Sequence, residues 1–404
     1  MSRYEEVTKI FAHDNQNQYY FYQLLFLIYL RGYVQKRTPL LLFFKFGSQF
    51  NKIMKKILFI DREQFGSLTD SLKYCEYLHN TYQIVYFCFD KGRPKISFPN
   101  MKIIYIPQIN PRALRGIVFI FIAIIKCLFF NGKIFILYFP KCEIIKQILF
   151  WKKMHIDIRT LSVITDEEKR IKENKQICKS INNFESVSFI TQAIANAAHI
   201  KTTIKKYILP LGSDIISHTN KDFSILKLLY IGTLENRDII KTVLGLELFI
   251  KKYPTISIIY NIIGDGSDYN LIKNYIIEHK LTHIIKMHGR LPYSALKPFL
   301  DSHNTGISFI PITPGYDLQP PTKTYEYILS GLCCLATKTQ SNRDAIINDI
   351  NGYLIDDSPS SFCQGIEHIY TNRNKFQSEN IRQTLIPYQW NFLIEKYLKP
   401  IIED

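Results

Sequence analysis

The chain contains no Cys-x-x-Cys pair, no Gly-x-Gly-x-x-Gly, no Asp-x-Asp, and no apolar run of the ~20 residues that a membrane-spanning helix needs. Each absence excludes a class. The cysteines Cys75, Cys88, Cys127, Cys142, Cys178, Cys333, Cys334 and Cys363 are scattered, mostly inside apolar runs, which is the pattern of buried, reduced thiols in a cytoplasmic protein and not of a zinc site or disulfide framework. Without the glycine fingerprint after a first strand, a nicotinamide or flavin dehydrogenase is disfavoured. Without paired aspartates, no magnesium site presents itself, and no metal or cofactor is expected. The apolar segment near the N-terminus, "YYFYQLLFLIYL", has acids before it and no small-residue cleavage site after it, so no secretory signal is read there. The run "IVFIFIAII" from Ile117 stops at Lys126.

What is present is a globular composition with a lopsided charge. Residues 54–160 carry 17 Lys and Arg against 7 Asp and Glu, whereas residues 225–404 carry 18 of each. Basicity confined to one half points to an anionic surface or substrate facing that half. No aromatic residues are interleaved with the basic ones in a nucleic-acid motif, so no nucleic acid is expected.

Residues 1–53 join poorly to the rest of the chain and read as an N-terminal extension, with Met54 a candidate start. From Met54 onward, short apolar runs alternate with helical patterns. Strands are expected at 55–60, 84–89, 102–106, 134–139, 156–160, 186–190 and 206–209, with helices at 67–79, 112–130, 142–153 and 165–180. A polar linker spans 217–224. A second series has strands at 226–232, 257–264, 284–289, 305–311, 333–337 and 351–355, and helices at 238–252, 267–279, 293–302, 321–330 and 359–371. The expected architecture is α/β: two Rossmann-like, doubly wound domains (54–216 and 225–385) facing a cleft, with a C-terminal helix at 386–404 crossing back to the first domain.

Within the second series, polar residues collect at strand ends. "PPTKTYEYILSG" places Pro320 and Pro321 at a helix start and Gly331 at its end, with Tyr325, Ile328 and Leu329 as the buried stripe and Lys323, Glu326 and Ser330 opposite. A lysine beside a helix N-terminus suits a phosphate, and a carboxylate one turn on suits a ribose diol. Alone, Lys323 and Glu326 read rather as a surface ion pair. "YIGTLENRDIIK" adds Gly232, Arg237 and Lys241, two cations able to clamp a diphosphate. "IIGDGSD" ends in Gly264 and Gly266, and "MHGRLPYSAL" supplies Gly289 and Arg290. All sit at carboxyl ends of strands and so along one sheet edge.

In this order and spacing these segments, with "GISFIP", "NGYLI" and the tail carrying Trp390, resemble the donor-binding half of GT-B glycosyltransferases of the group 1 type (family 4, retaining). In the first half, "ILPLGSD" and "HIDIRTLSV" resemble the corresponding segments more loosely. The resemblance implies that Glu326 holds the nucleotide ribose and that Arg237, with Lys241 or Lys323, contacts the diphosphate. Gly289 and Arg290 would pass the nucleobase, and Gly66 would lie in the loop near the donor phosphates. Pro321 and Thr322 open the helix that carries Lys323 and Glu326. Gln319 stands where the family often has a second glutamate, and "PTKTYE" fits a subgroup with Pro-x-Lys-x-x-Glu. The family's usual Gly-Arg is Gly232-Thr233 here, and the first-domain loop has one glycine instead of two.

The implied activity is transfer of a hexose-type sugar from a nucleotide-diphosphate donor, with retention and without metal, to a glycan or lipid-linked oligosaccharide in surface polysaccharide synthesis in a bacterial cytoplasm. The acceptor hydroxyl would attack from the leaving-group face, so no side-chain nucleophile is expected. Arg237, Lys323 and Glu326 would stabilise donor and leaving group, while His155 and Asp157 are wagers for the acceptor side. The helix "RALRGIVFIFIAIIKCLFF" reads equally as a peripheral contact with the inner membrane face and as a core helix. Two other readings stay open, a sugar-nucleotide epimerase of the same shape and a non-catalytic subunit.

Overall fold

The computed structural model describes residues 54–404; the expectation for an N-terminal extension lies outside the described residues. The described residues form two parallel sheets. The first has seven strands in the order β3-β2-β1-β4-β5-β6-β7 and the second six in the order β10-β9-β8-β11-β12-β13. In each, the first strand lies inside the sheet and the order reverses beside it, the arrangement of a doubly wound α/β sheet.

The first sheet comprises β1 (Lys55–Ile60), β2 (Tyr82–Phe89), β3 (Met101–Ile106), β4 (Lys133–Leu137), β5 (Met154–Ile158), β6 (Ser186–Phe189) and β7 (Lys205–Ile208). Its central strands are continuous apolar runs because helices cover both faces, so no alternation with solvent is possible: Ile57, Leu58, Phe59 and Ile60 are all buried. Helix α1 (Thr69–Leu78) covers one part with Tyr74, Cys75 and Leu78. Helix α2 (Arg112–Phe129) inserts Phe119 among Phe87, Phe89 and Phe139 at ring separations of 4.9, 4.4 and 5.6 Å. One face of that helix is thus core, as one of its two readings required. Helices α3 (Glu143–Ile148), α4 (Glu167–Ile181) and α5 (Gln192–Ala197) complete the layer.

The second sheet comprises β8 (Leu226–Ile231), β9 (Ile258–Ile263), β10 (Ile285–Met287), β11 (Thr305–Ser308), β12 (Cys333–Thr337) and β13 (Gly352–Ile355). Around it lie α6 (Ile240–Lys252), α7 (Tyr269–Glu278), α8 (Lys297–Ser302), α9 (Thr322–Leu329), α10 (Gln340–Ala345), α11 (Pro359–Asn372) and α12 (Ser378–Gln383). Among the described residues no helix is long and apolar enough to cross a membrane.

Several elements differ from the sequence expectation for physical reasons. The helices α5, α10 and α12, six residues each, are too short to register a 3.6-residue period. Helix α3 ends at Ile148 instead of running to 153, because the Lys146 amine donates to the carbonyls of Phe150 and Lys152 and folds the chain into a turn. The expected 293–302 helix splits into a 3-10 turn, Tyr293–Ala295, and α8, which carries Pro298 in its first turn. The tail is Trp390–Leu393, a π-helical turn at Ile394–Leu398 and Lys399–Glu403 instead of one regular helix. Pro400 cannot donate to the carbonyl four residues back, and the wider turn precedes it. This tail does cross to the first sheet: Trp390, Leu393, Ile394, Leu398 and Ile401 belong to the same buried cluster as Ile57, Phe59, Tyr74 and Phe135.

Candidate functional site

The carboxyl end of β8 runs into Gly232, whose φ of +152° sits beside the Lys323 amine; a Cβ there would lie 2.8 Å from Nζ. Gly264 follows β9 with φ of +158°, and its Cβ would lie 1.8 Å from the Gly232 carbonyl oxygen. Backbone therefore packs directly on backbone, leaving open space above. A cavity of about 400 Å³ opens there, lined by Gly232, Thr233, Gly264, Asp265, Arg290 and Leu296 among others. The Gly264 N–H donates to the Gly289 carbonyl at 2.9 Å, and Gly289 takes a φ of +66°, so the turn before Arg290 is drawn to the same edge. Gly266 packs against the backbone N of Glu235, 2.6 Å from where a Cβ would stand.

Helix α9 brings Lys323 and Glu326 to this edge and is fixed by buried polar contacts. Pro321 is buried at its N-cap and Thr322, its first residue, is exposed. The Ile231 N–H donates to the Tyr327 hydroxyl at 2.7 Å, and the Tyr327 ring lies where a Cβ on Gly306 would approach to 2.2 Å. The Thr324 hydroxyl donates to Asn342 Oδ1 at 2.9 Å and accepts from the Ser308 hydroxyl at 2.7 Å. Neither Tyr327 nor Thr324 stood out in the sequence; their signal is the helical spacing that places them with Ile328 on the inner face. Ser330, expected outside, is buried.

Lys323 rests on an aromatic face, its Nζ 3.9 Å from the Tyr230 ring centroid. Burial, reinforced by the positive charge of Arg237, pushes its amine down to about 7. Burial also pushes the Glu326 carboxyl up to about 7, with Lys323 opposing and Asp214 adding to the rise. Both side chains are half-buried by area yet closely surrounded by protein. Arg237 stacks over the Tyr316 ring at 4.3 Å. The constellation is thus two cations and one carboxylate above a glycine floor, suited to a diphosphate and a diol.

Other expected donor residues are placed differently. Lys241 forms an ion pair with Asp238 at 2.8 Å, one helical turn away, so the second cation beside Arg237 is Lys323. The Gln319 amide donates to the carbonyl of Arg159 in the first domain at 3.1 Å and does not line the glycine-floored cavity. A neutral amide can make that bond and a carboxylate cannot. Gly66 holds a φ of +89° against Ile96, with a Cβ position 2.8 Å from Ile96 Cδ1.

At the corresponding edge of the first sheet a cavity of about 740 Å³ is lined from the ends of β1 (Asp61, Arg62), β2 (Phe89, Lys91), β4 (Tyr138, Phe139) and β5 (Asp157, Arg159). His155 does not reach it. That side chain is wholly buried, its two ring nitrogens are 2.9 and 2.8 Å from the hydroxyls of Ser186 and Ser188, and burial holds its pKa well below the ordinary imidazole value. Asp157 does line the cavity, as does Arg159, which sequence reasoning missed because its partner Asp70 is remote in the chain. Among the described residues no group of three His, Cys, Asp or Glu side chains is placed to hold a metal ion.

Residues 224–384 match the family model of glycosyl transferases group 1. No curated protein matches the chain. Among solved structures, a sucrose-phosphate synthase from Thermosynechococcus elongatus superposes with a TM-score of 0.68 at 12% identity, over 86% of this chain and 98% of that one. Alr3699/HepE from Anabaena, in complex with UDP-glucose, gives 0.65 at 12% identity over 87% and 100%. The lipopolysaccharide outer core galactosyltransferase WaaB in its apo form gives 0.65 at 17% over 86% and 99%. The two sheets and their order are those of the GT-B fold, and the chain's second domain resembles glycosyl transferases group 1.

Proposed function

We propose that this chain is a glycosyltransferase that moves a hexose from a nucleotide-diphosphate donor, held on the glycine floor of the second sheet, to a glycan or lipid-linked oligosaccharide in surface polysaccharide synthesis. The observation that carries the reading is the placement of Lys323 over Gly232, with Glu326 one turn on and Arg237 near enough to depress the lysine. Breaking the bond between sugar and diphosphate builds negative charge on the leaving group. Arg237 is a fixed cation beside that charge and Lys323 gains its proton as the charge approaches, and positive charges held in place stabilise the leaving group more than solvent does. Glu326 accepts from the ribose hydroxyls. These charges can serve the leaving group without a metal, and the acceptor hydroxyl would attack on the leaving-group face with retention at the anomeric carbon. The basic first domain and helix α2 support a peripheral position on the inner membrane face.

Thermal-shift measurements with UDP, GDP, CDP, dTDP and ADP, each with and without EDTA, test the donor site. One nucleotide at a hundred times its Kd should add about 2.7 kcal/mol of stability, unaffected by EDTA and lost in Glu326→Ala. UDP is the first to try, since HepE binds UDP-glucose in this fold. No response to any nucleotide would favour a non-catalytic subunit, and stabilisation only with a divalent cation would remove metal independence.

A further inference from the structure

The two cations of the candidate donor site are held by rings and not by carboxylates. Lys323 Nζ lies 3.9 Å from the centroid of the Tyr230 ring, and Arg237 Cζ lies 4.3 Å from that of Tyr316. Among the described residues neither cation forms an ion pair with a carboxylate, Glu326 included, although Lys241 nearby pairs with Asp238. Other lysines on tyrosine rings differ in this respect. Lys95, Lys205 and Lys252 rest on Tyr105, Tyr207 and Tyr253, and each also has a carboxylate, from Asp90, Asp404 and Glu367 respectively. The rings at Lys323 and Arg237 are themselves fixed. Tyr230 is wholly buried in β8, and its hydroxyl donates to the Thr233 carbonyl at 2.6 Å. Tyr316 stands in a turn closed by its own N–H on the Thr313 carbonyl at 3.0 Å, and the carboxylate of the next residue, Asp317, accepts from the Gln340 N–H at 2.8 Å.

We propose that Tyr230 and Tyr316 are positioning residues, each holding a cation through its ring face so that the positive charge stays available to an anion in the glycine-floored cavity. The inference rests on the reading that Lys323 and Arg237 meet the donor diphosphate, and it names what holds them there. A carboxylate could fix either side chain equally well, but it would cancel the charge and repel the incoming diphosphate. A ring attracts the cation through its quadrupole, carries no net charge and sets nothing negative in the anion's way. It also leaves donors unspent: among the described residues the Arg237 guanidinium has one partner, the Asn236 carbonyl, at 3.0 Å from Nη1. Two like charges without counter-charges disfavour each other, and Arg237 accordingly opposes protonation of Lys323. An arriving anion relieves that repulsion.

The test uses the full chain, with inorganic pyrophosphate and the nucleoside diphosphates as ligands. Tyr230→Leu and Tyr316→Leu should each weaken pyrophosphate and the bound nucleotide about threefold to tenfold, whereas Tyr230→Phe and Tyr316→Phe keep the ring and most of the affinity. In an Arg237→Met background Tyr316→Leu should cost nothing further, and in Lys323→Met neither should Tyr230→Leu. A ring that only filled space would weaken binding in those backgrounds too, so equal loss with and without the cation overturns the proposal. So does phenylalanine behaving like leucine. If Tyr230→Leu proves too unstable to assay, the half-buried Tyr316 carries the same comparison. A second measurement needs no ligand. In protein carrying carbon-labelled lysine, the ε-methylene resonance that disappears in Lys323→Met should lie upfield of exposed lysines, stay there in Tyr230→Phe and rejoin them in Tyr230→Leu. An ordinary position in the wild type overturns the proposal. Pyrophosphate binding that follows this pattern in a protein that binds no nucleotide would uphold the rings and remove the donor reading; failure of every ligand overturns both.

Discussion

The Lys323 amine and the Glu326 carboxyl, both brought to about 7, make donor binding a proton-coupled event. A diphosphate entering beside Lys323 favours its protonated form, whereas the ribose hydroxyls favour the ionised form of Glu326. A proton is therefore taken up at Lys323 on binding, and its contribution to affinity falls as pH rises through 7, by at most about tenfold per unit. Calorimetry of UDP binding in two buffers of different ionisation enthalpy, at pH 6.5 and 8.5, measures that uptake; Lys323→Met should abolish most of it and flatten the pH dependence. A pH-independent affinity would place the diphosphate elsewhere. His155 shows the opposite use of burial. Its folded pKa lies well below the unfolded one of about 6.5, so the unfolded state binds the extra proton and stability falls as pH drops below that value. Asp61 and Asp157, raised to about 6 by burial, act in the opposite sense between their folded values and the unfolded carboxylate range. Comparing urea midpoints of wild type and His155→Gln isolates the histidine: the advantage of the wild type should shrink by up to about 1.4 kcal/mol per pH unit from 6.5 downward.

At the scale of elements, helix α9 links packing to chemistry. Its outer face carries Lys323 and Glu326, and its inner face is fixed by the Tyr327 hydroxyl on the β8 backbone. Tyr327→Phe deletes the acceptor for a buried N–H at a strand end. The expected cost is about 1–3 kcal/mol in chemical unfolding, together with weaker nucleotide binding as the helix loosens. A destabilised variant with unchanged UDP affinity would show that the helix is positioned by other contacts. The outer face was legible in the sequence because Pro, Lys, Glu and Gly at those spacings are local signals, and the strand-end glycines because only glycine allows backbone to meet backbone. The inner face was not, since a tyrosine among apolar residues looks like any core aromatic until Gly306 lies beneath it. His155 was misread for the same reason. A strand histidine in apolar surroundings is compatible with a cleft or a core, and only Ser186 and Ser188 on the neighbouring strand decide. The sheet strands were readable almost throughout, while the short helices α5, α10 and α12 left no periodicity to detect.

For the molecule as a whole, the two sheets are joined by features that single segments do not reveal. Gln319, on the donor side in sequence, donates across to the backbone of Arg159, the first residue after β5. Gly315 packs beside it, where a Cβ would lie 3.1 Å from the Val163 backbone. The more extensive tie is the tail. Trp390 is buried in the first sheet's core, edge-on to Tyr74 at 5.9 Å, and its indole occupies the space that a Cβ on Gly212 would need, 2.5 Å away. The Ser213 N–H donates to the Tyr388 carbonyl and the Trp390 N–H to the Ser213 carbonyl, so the tail is also bonded by backbone to the segment leaving the first domain. Trp390→Ala should therefore cost about 3–5 kcal/mol, the range for deleting a fully buried large aromatic. Because the lost contacts lie in the first sheet and the donor residues in the second, the loss should fall on one domain. Hydrogen exchange should rise in β1, α1 and β4 while the β8, β9 and α9 amides stay protected, and UDP should still bind to the variant at low temperature. Gly212→Ala should reproduce the exchange pattern by displacing the indole from the glycine side. Equal loss of protection in both sheets would mean instead that the tail couples them into a single cooperative unit.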